Sequence, residues 1–396
     1  MYCPIYLTLL MNSTSKLPLG KLGFYWRMTE KPDTPPNPVP DFVDFTFSFI
    51  EEWGLIIQER NQTTWSFLER IYRENYNVGY LQEGHALAES YGGDFLDCIE
   101  NAVRQFNPIA RTVSEIGAGG CYILSKLKEK GFEATAIDPS PVAIQKGEEL
   151  GIEVVPEFYP IQSSDDSYDL IIHYDVLEHV NDPVEFLQNH LTDLNSGGLI
   201  AFAVPDCSSY IQLGDISMIL HEHLNYFDED SLRNVVECAG FEVLNINKAS
   251  HGGVLFCVAK VAEGKFFQVK SGNFKFLEWK NSVEGLNKLI EDFIKQGISR
   301  ENSLGCYVPL RAIPYLSILC IKNDVRFFDD DPGIHKKYFD GFPIPIENME
   351  DLKENPVSHL LILSAAFGEM IRDRINEKIP MHEMEIKCLT DFKLES

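Results

Sequence analysis

The 396-residue sequence predicts an α/β protein built on a largely parallel, doubly wound sheet with helices on both faces. Two observations support this fold class. Between about residue 112 and residue 204, short apolar strands alternate with helical patterns, as in parallel strands joined by crossover helices. A glycine-rich turn follows the first of these strands, and an acidic residue ends the second, which is typical of a nucleoside-binding βαβ unit.

The glycine-rich turn and its flanking elements carry the cofactor prediction. Thr112–Ile116 lacks Gly and Pro and predicts a buried strand, Gly117–Gly120 forms the turn, and Cys121–Lys130 has helical spacing. The next predicted strand, Ala134–Ile137, ends at Asp138. Glycines let the backbone approach a ligand where a Cβ would collide, and the acid can accept both hydroxyls of a ribose. The motif therefore predicts a nucleoside cofactor.

The alternation of strands and helices continues beyond this motif and ends in a hairpin around Ser250–Gly253. The predicted elements are helix 142–150, strand 153–156, strand 168–173, helix 182–194, strand 199–204, strand 241–246 and strand 254–259.

Regions on both sides of this core extend the prediction. Residues 1–40 are rich in Pro, Ser, Thr and Asn and predict an irregular surface segment, followed by a strand pair over Phe42–Gln58. A helix over Asn281–Gln296 precedes a second, smaller α/β region with strands near 304–307, 325–329 and 360–364. The predicted division is an N-terminal region 1–80, a cofactor domain 81–262 and a C-terminal α/β domain 263–396.

Composition restricts the class of partner and the compartment. The net charge is −26, with 60 acidic and 34 basic residues, so nucleic acid and anionic membranes are not expected as partners, whereas a small-molecule substrate is. Nine cysteines are scattered without a C-x-x-C pair, which indicates reduced thiols. The apolar run Pro4–Met11 is too short to span a bilayer. These observations predict a cytoplasmic protein.

Candidate ligand-binding and catalytic residues follow the later strands, where an open parallel sheet binds its ligands. Phe158 follows the third strand and is a candidate for stacking on an adenine, and His179 follows the fourth. His221, Glu222 and His223 are consecutive, so they lack metal-ligand i, i+4 spacing and predict no metal site. An acid between two imidazoles suits a general base, while a structural role for one or both histidines is the alternative.

The pattern E-x-G-x-G with a downstream D-x-S resembles the first two motifs of class I S-adenosylmethionine (SAM) methyltransferases. This resemblance implies that SAM is the cofactor. The residues implied to bind SAM are Glu115, Gly117, Ala118, Gly119, Asp138, Pro139 and Ser140. Phe158, after the third strand, is the further candidate for contact with the adenine.

Further motifs resemble the SAM-dependent sugar C-methyltransferases, which methylate C-3 of nucleotide-linked 4-keto-deoxysugars. The likeness covers most of the chain and rests on EIGAGG, AIDPS, DVLEHVNDP, HEHLNYF, HGGVLFCV, FFDDDPGIHKKYFDGFPIPI and HLLILSAAFGEMI. It implies that His223 is the base for the C-3 proton and that Glu222 is its partner. It also implies that His179 and Tyr76 line the sugar pocket, and that the C-terminal domain is substrate-associated.

The chain departs from this family at three places. The usual zinc module of four cysteines is reduced to Cys3, so no zinc is expected there. Leu220 replaces a tyrosine before H-E-H, and YVPLRA replaces a glycine-rich loop. Two alternatives therefore stay open. One is an O- or N-methyltransferase of a sugar or another small metabolite, and the other is a noncatalytic binding protein that retains the fold.

Overall fold

The structure, a computed structural model, describes most of the chain. The described residues are 16–23, 28–29, 42–74, 86–161, 166–264, 274–298, 303–319, 325–339, 341–379 and 384–393.

The described strands and helices follow one another along the whole chain. The strands are β1 (Lys16–Gly23), β2 (Met28–Thr29), β3 (Phe42–Ile50), β4 (Leu55–Gln58), β5 (Thr112–Ile116), β6 (Glu133–Ile137), β7 (Glu153–Val155), β8 (Tyr168–Tyr174), β9 (Leu194–Pro205), β10 (Asn225–Tyr226), β11 (Phe241–Lys248), β12 (Val254–Val261), β13 (Leu304–Tyr307), β14 (Val325–Phe328), β15 (Tyr338–Phe339), β16 (Ile346–Glu347), β17 (His359–Ile362) and β18 (Glu385–Cys388). The α-helices are α1 (Gln62–Glu74), α2 (Ala86–Phe106), α3 (Tyr122–Glu129), α4 (Pro141–Leu150), α5 (Pro183–Asp193), α6 (Ser208–Leu213), α7 (Glu229–Cys238), α8 (Phe274–Gly297), α9 (Ile313–Ile318), α10 (Met349–Glu354) and α11 (Gly368–Lys378).

The chain folds into two compact units, each of which is discontinuous in sequence. Among the described residues, the first unit holds those of Ser48–Cys207 and Glu222–Asn273. The second holds those of Ser15–Phe47, Ser208–His221 and Phe274–Ser396.

The first unit is built on a seven-stranded sheet in the order β11-β12-β9-β8-β5-β6-β7. Neighbouring strands from β7 to β9 are parallel, and β12 pairs antiparallel with both β9 and β11. After β5 the chain adds β6 and β7 on one side of that strand, and it then crosses to the other side to add β8 and β9. In open sheets, ligands bind at such a topological switch point. The predicted parallel sheet with a terminal hairpin is confirmed.

Both faces of this sheet are covered. Along β8, Leu170 and Ile172 belong to one buried cluster, together with Phe95 of α2, whereas Ile171 belongs to the other, together with Leu187 of α5. Successive side chains of a strand point to opposite faces, so this run of apolar residues reflects burial on both sides.

The expectation of an irregular N-terminal segment is wrong for part of that segment. Lys16–Gly23 forms strand β1, in which Leu17 and Leu22 are buried. Burial of these two leucines favours an ordered strand. The Pro- and Ser-rich composition of the surrounding residues led to the prediction of irregular structure. The proline-dense residues 31–40 lie outside the described part of the chain.

The second unit contains a five-stranded parallel sheet in the order β16-β14-β13-β17-β18. The three strands predicted for this region correspond to β13, β14 and β17. The two edge strands, β16 and β18, are short and were not predicted. Among the described residues, no helix is long and apolar enough to cross a membrane.

Candidate functional site

The turn after β5 requires glycine at its first position. Gly117 has a φ of +72°, and a Cβ on it would lie 2.7 Å from Cγ2 of Val176, which follows β8. Its N–H donates to the carbonyl oxygen of Ile137 at 2.9 Å, which holds the turn against β6. A side chain here would be strained by both backbone conformation and contact, so only glycine keeps the turn close to the neighbouring loop.

Asp138 ends β6 and organises the same edge of the sheet. Its Oδ2 accepts a hydrogen bond from the N–H of Gly119 at 2.8 Å, and its Oδ1 accepts one from the N–H of Ser140 at 2.7 Å. Ser140 then caps α4, because its Oγ accepts from the N–H of Ala143 at 3.2 Å. A carboxylate has about four acceptor positions, so the two that remain suit the paired hydroxyls of a ribose.

Glu115 lies just before the turn and is almost fully buried, with 3% of its surface exposed. Burial raises the pKa of its carboxyl well above the usual range, and the charge of Asp138 adds to the increase. Its Oε2 has no hydrogen-bond partner among the described residues. A buried carboxyl oxygen without a hydrogen-bond partner favours binding of a ligand that carries a hydrogen-bond donor or a positive charge. Together with the glycine turn and Asp138, it fits SAM, which is a cation.

The remaining cofactor candidates occupy the same edge of the sheet. Ala118 is buried within the turn, and Pro139 joins Asp138 to the cap of α4. Phe158 follows β7 and is 37% exposed, with the guanidinium carbon of Arg73 4.5 Å from the ring centroid. One face of the ring is therefore in contact with a cation, and stacking of an adenine on this ring stays a prediction.

Two segments of the first unit are held together by backbone hydrogen bonds. The N–H groups of Leu224 and Asn225 donate to the carbonyl oxygen of Glu178 at 2.7 Å and 3.1 Å. In addition, Nδ2 of Asn225 donates to the carbonyl oxygens of Leu177 and Val180 at 3.1 Å and 2.7 Å. The loop after β8 and the segment before β10 are thereby fixed in register.

This register brings His179 and His223 together. Nδ1 of His179 lies 3.0 Å from the carbonyl oxygen of Glu222, and the two imidazole centroids are 4.9 Å apart. Nε2 of His179 lies 3.8 Å from Oε1 of Glu178, which is 1% exposed. Sequence reasoning missed Glu178, although it precedes His179 in the loop at the carboxyl end of β8.

The remaining candidates are His221, Glu222 and Tyr76. His221 belongs to the second unit, where its ring centroid lies 4.7 Å from that of Phe45 and burial lowers its pKa to about 3. It is therefore a neutral, buried side chain, which supports the structural alternative for this histidine. Glu222 is buried and contributes its backbone carbonyl to His179. Tyr76 lies outside the described residues.

The geometry defines a class of protein. The sheet is parallel except for β12, which is antiparallel and lies next to the edge. A glycine turn follows β5, the strand at the switch point, and Asp138 follows the neighbouring strand β6. This combination defines the class I SAM methyltransferase fold. The predicted fold class is confirmed.

Comparison with known proteins agrees with this assignment. Residues 95–246 match the model of a family described as a methyltransferase domain. Residues 95–246 therefore form a SAM-dependent methyltransferase domain, and the predicted enzyme class and cofactor are confirmed for that domain.

Among curated proteins, the chain is similar to methyltransferases of two kinds. It is 27% identical over 149 residues to ubiquinone biosynthesis O-methyltransferase of Methylobacterium sp. (strain 4-46), covering 33% of this chain and 60% of that protein. It is 21% identical over 290 residues to C-methyltransferase NovU of Streptomyces niveus, covering 67% of this chain and 69% of that protein. The chain thus spans less than two thirds of the first of these relatives.

The chain has a low structural similarity to two solved methyltransferases. One is the 1,6-didemethyltoxoflavin-N1-methyltransferase of Burkholderia thailandensis, at 13% identity and a TM-score of 0.41, covering 59% of this chain and 100% of that one. Another is a SAM-dependent methyltransferase of Clostridium acetobutylicum, at 11% identity and a TM-score of 0.37, covering 50% of this chain and 99% of that one.

Proposed function

We propose that this protein methylates carbon C-3 of a nucleotide-linked 4-keto-deoxysugar, with SAM as methyl donor and His223 as general base. The observation that carries the proposal is the contact between His223 and His179, which lies in the loop after β8. Val176 of the same loop packs next to Gly117 of the glycine turn. The similarity to NovU supports it, because that protein is named a C-methyltransferase and the match extends over 67% of this chain.

The proposed chemistry needs one base. SAM supplies a methyl group bound to a positively charged sulfur. A keto group next to C-3 makes the C-3 proton acidic, so an imidazole whose ordinary pKa is near neutrality can accept that proton. The carbon then forms a bond to the methyl group while the bond from methyl to sulfur breaks, and His223 retains the proton until solvent removes it.

The other assigned residues position the two reactants. We assign SAM binding to the glycine turn, Asp138 and their neighbours, in the full set Glu115, Gly117, Ala118, Gly119, Asp138, Pro139, Ser140 and Phe158. Glu222 is assigned as the partner of His223, while His179 and Tyr76 are assigned to the sugar pocket. The C-terminal region 263–396 is proposed to be substrate-associated. Holding the methyl group in line with C-3 supplies a large part of the rate enhancement.

Solvent exchange tests the proposed acceptor atom. The protein is incubated in deuterated buffer with a 4-keto-6-deoxy sugar nucleotide and S-adenosylhomocysteine, which permits proton transfer but not methylation. Deuterium is expected at C-3 in the presence of wild-type protein and is expected to be strongly reduced with His223→Ala. A C-3 position that stays unlabelled while SAM supports turnover of the same sugar would overturn carbon methylation by this base.

A second candidate is methylation of an oxygen on a small metabolite. It is favoured by the 27% identity to a ubiquinone biosynthesis O-methyltransferase and by Leu220, which stands where the sugar family has a tyrosine. In this case His223 would remove a hydroxyl proton. Transfer of a ¹³C-methyl group from labelled SAM separates the candidates, because methyl ethers and C-methyl groups have well-separated carbon chemical shifts.

The compartment and partners are part of the same proposal. We propose a cytoplasmic enzyme that acts on a small molecule and binds neither nucleic acid nor membranes. The described cysteines form no disulfide bonds with one another. The strongly negative net charge is unfavourable for binding polyanions.

A further inference from the structure

The loop after β8 and the segment before β10 bring one carboxylate and two imidazoles together. Glu178, His179 and His223 each offer one ligand atom, and these three atoms lie within 4.8 Å of one another. Two of the residues are adjacent and the third is 44 positions away, so no metal-binding spacing is visible in the sequence. The H-E-H run, from which no metal site is expected, supplies only His223 to this set. Two histidines and one glutamate form a donor set with which proteins bind zinc and related divalent metals.

The orientation of His179 matches that of a metal ligand. When its imidazole is neutral, Nδ1–H donates to the carbonyl oxygen of Glu222 at 3.0 Å, which leaves the lone pair on Nε2. That nitrogen lies 3.8 Å from Oε1 of Glu178. A lone pair and a carboxylate oxygen that face each other repel unless a proton or a cation lies between them. Metal-binding histidines are commonly oriented by a backbone carbonyl in this way.

We propose that Glu178, His179 and His223 bind a single divalent transition-metal ion of the Zn²⁺ type, leaving a fourth coordination position open. Donors around tetrahedral zinc lie about 3.3 Å apart, so the side chains need to move by about 1 Å toward a common centre. The backbone hydrogen bonds from Leu224 and Asn225 to Glu178 already hold the two segments in place. His179 is 21% exposed, so an ion has access from solvent.

Metal binding has a consequence for methyl transfer, and this consequence alone rests on the proposed function. A neutral imidazole has one lone pair, so His223 cannot hold a metal ion and accept a substrate proton at the same time. The bound metal is therefore expected to inhibit the enzyme by occupying its base. His223 can therefore either bind zinc or accept the substrate proton, but not both at once.

Cobalt binding tests the site without any need for activity. The 396-residue protein is treated with a chelator, desalted and titrated with Co²⁺, whose visible absorption reports coordination by protein. Zn²⁺ is then added as competitor. One equivalent is expected, and His179→Ala and His223→Ala are each expected to weaken binding at least about tenfold. Glu185→Gln and His251→Gln serve as charge- and imidazole-matched controls and are expected to bind as wild type does. Because His179 is partly exposed, its variant decides the outcome if Glu178→Gln fails to fold.

Two results would count against the proposal in different ways. Failure to bind a stoichiometric metal ion, or binding unaffected by both histidine variants, would overturn the site. In the methyl-transfer assay, activity is expected to fall in proportion to zinc occupancy and to return when chelator is added. If the protein binds one equivalent of zinc and still transfers methyl groups at the full rate, metal binding does not block the base, and His223 is not the base. The metal site itself would still be supported by the cobalt titration.

Discussion

The backbone N–H of Leu224 donates a 2.7 Å hydrogen bond to the carbonyl oxygen of Glu178. This bond joins two segments that are far apart in sequence and that carry the two imidazoles of the candidate site. The side chain of the next residue, Asn225, bonds to the same loop. These bonds therefore fix the backbone of the two histidine-bearing segments relative to each other, as a preorganised site requires.

Asn225→Ala tests this support. The substitution removes the donor to two carbonyl oxygens, the buried one of Leu177 and the partly buried one of Val180, and leaves both without this partner. We expect the free energy of unfolding to fall by about 2–3 kcal/mol, and methyl transfer to fall as well because the imidazoles lose their register. Urea unfolding and the transfer assay measure the two effects. Asn189→Ala, which removes an amide on α5 that bonds to Glu185, is the control. Equal losses in both variants would contradict the special role of Asn225.

Gly117→Ala tests the turn after β5. The new Cβ is strained by the φ of +72° and collides with Val176 at 2.7 Å. Gly131 separates the two causes, since its φ is +93° but nothing lies within 4 Å of a Cβ placed there. We expect Gly131→Ala to cost about 1 kcal/mol of stability through backbone strain alone, and Gly117→Ala to cost more and to weaken binding of S-adenosylhomocysteine. Thermal unfolding and calorimetric titration check both expectations, and similar values for the two variants would show that the contact with Val176 is unimportant.

Asp138→Ala tests the assignment of the cofactor. Loss of a carboxylate that bonds to ribose hydroxyls is expected to weaken S-adenosylhomocysteine binding at least about tenfold, because hydrogen bonds to charged groups contribute about 1.5–3 kcal/mol each. Asp97→Asn, at an exposed position on α2, is expected to bind normally. Calorimetric titration measures the affinities. Undetectable binding to the wild-type protein would favour the noncatalytic alternative, and unchanged binding to Asp138→Ala would remove this residue from the site.

His223→Ala tests the base. Removal of a general base is expected to lower turnover by about 10²-fold or more and to leave the affinity for S-adenosylhomocysteine nearly unchanged. His335→Gln, in the second unit, is the control for loss of an imidazole elsewhere. Initial rates of methyl transfer and calorimetric affinities give both quantities. Full activity in His223→Ala would exclude this residue from the mechanism.

The elements around the cofactor motif could be predicted from the sequence because their signals are local. Strand β5 has the bounds predicted for Thr112–Ile116, which lacks Gly and Pro, and the neighbouring helices differ by one or two residues at their ends. Asp182 and Pro183 mark the start of α5, where the Asp carboxylate accepts from the N–H groups of Val184 and Glu185. Caps and turns of this kind are encoded within a few residues.

Features that depend on contacts between distant residues could not be predicted in the same way. The approach of Glu178 to His223 requires the sheet order and the hydrogen bonds of Asn225, neither of which has a local pattern. The guanidinium of Arg73 contacts Phe158, which lies 85 positions later in the sequence. Edge strands of two to four residues, such as β16 and β18, are too short for a periodic signal.

Buried histidines of the first unit predict a loss of stability in mild acid. Burial lowers the pKa of His190 to about 3, well below its ordinary value of 6.5. The folded state therefore binds fewer protons than the unfolded state between these two values, so the stabilising contribution is complete above pH 6.5 and is lost as the pH falls toward 3. For this residue the loss is about 1.4 kcal/mol per pH unit across that window.

Comparison of variants isolates this contribution from that of other groups, such as the buried Glu115, whose raised pKa acts in the opposite direction. The decrease in unfolding free energy from pH 7.5 to pH 5.5 is expected to be about 1.4 kcal/mol smaller in His190→Leu than in wild type, since leucine does not titrate. Leu187→Val, a neighbouring core substitution, is expected to cost about 1 kcal/mol at both pH values and to leave the difference unchanged. Urea unfolding at the two pH values gives these quantities. The same pH difference in His190→Leu as in wild type would show that this histidine does not drive the loss of stability in acid.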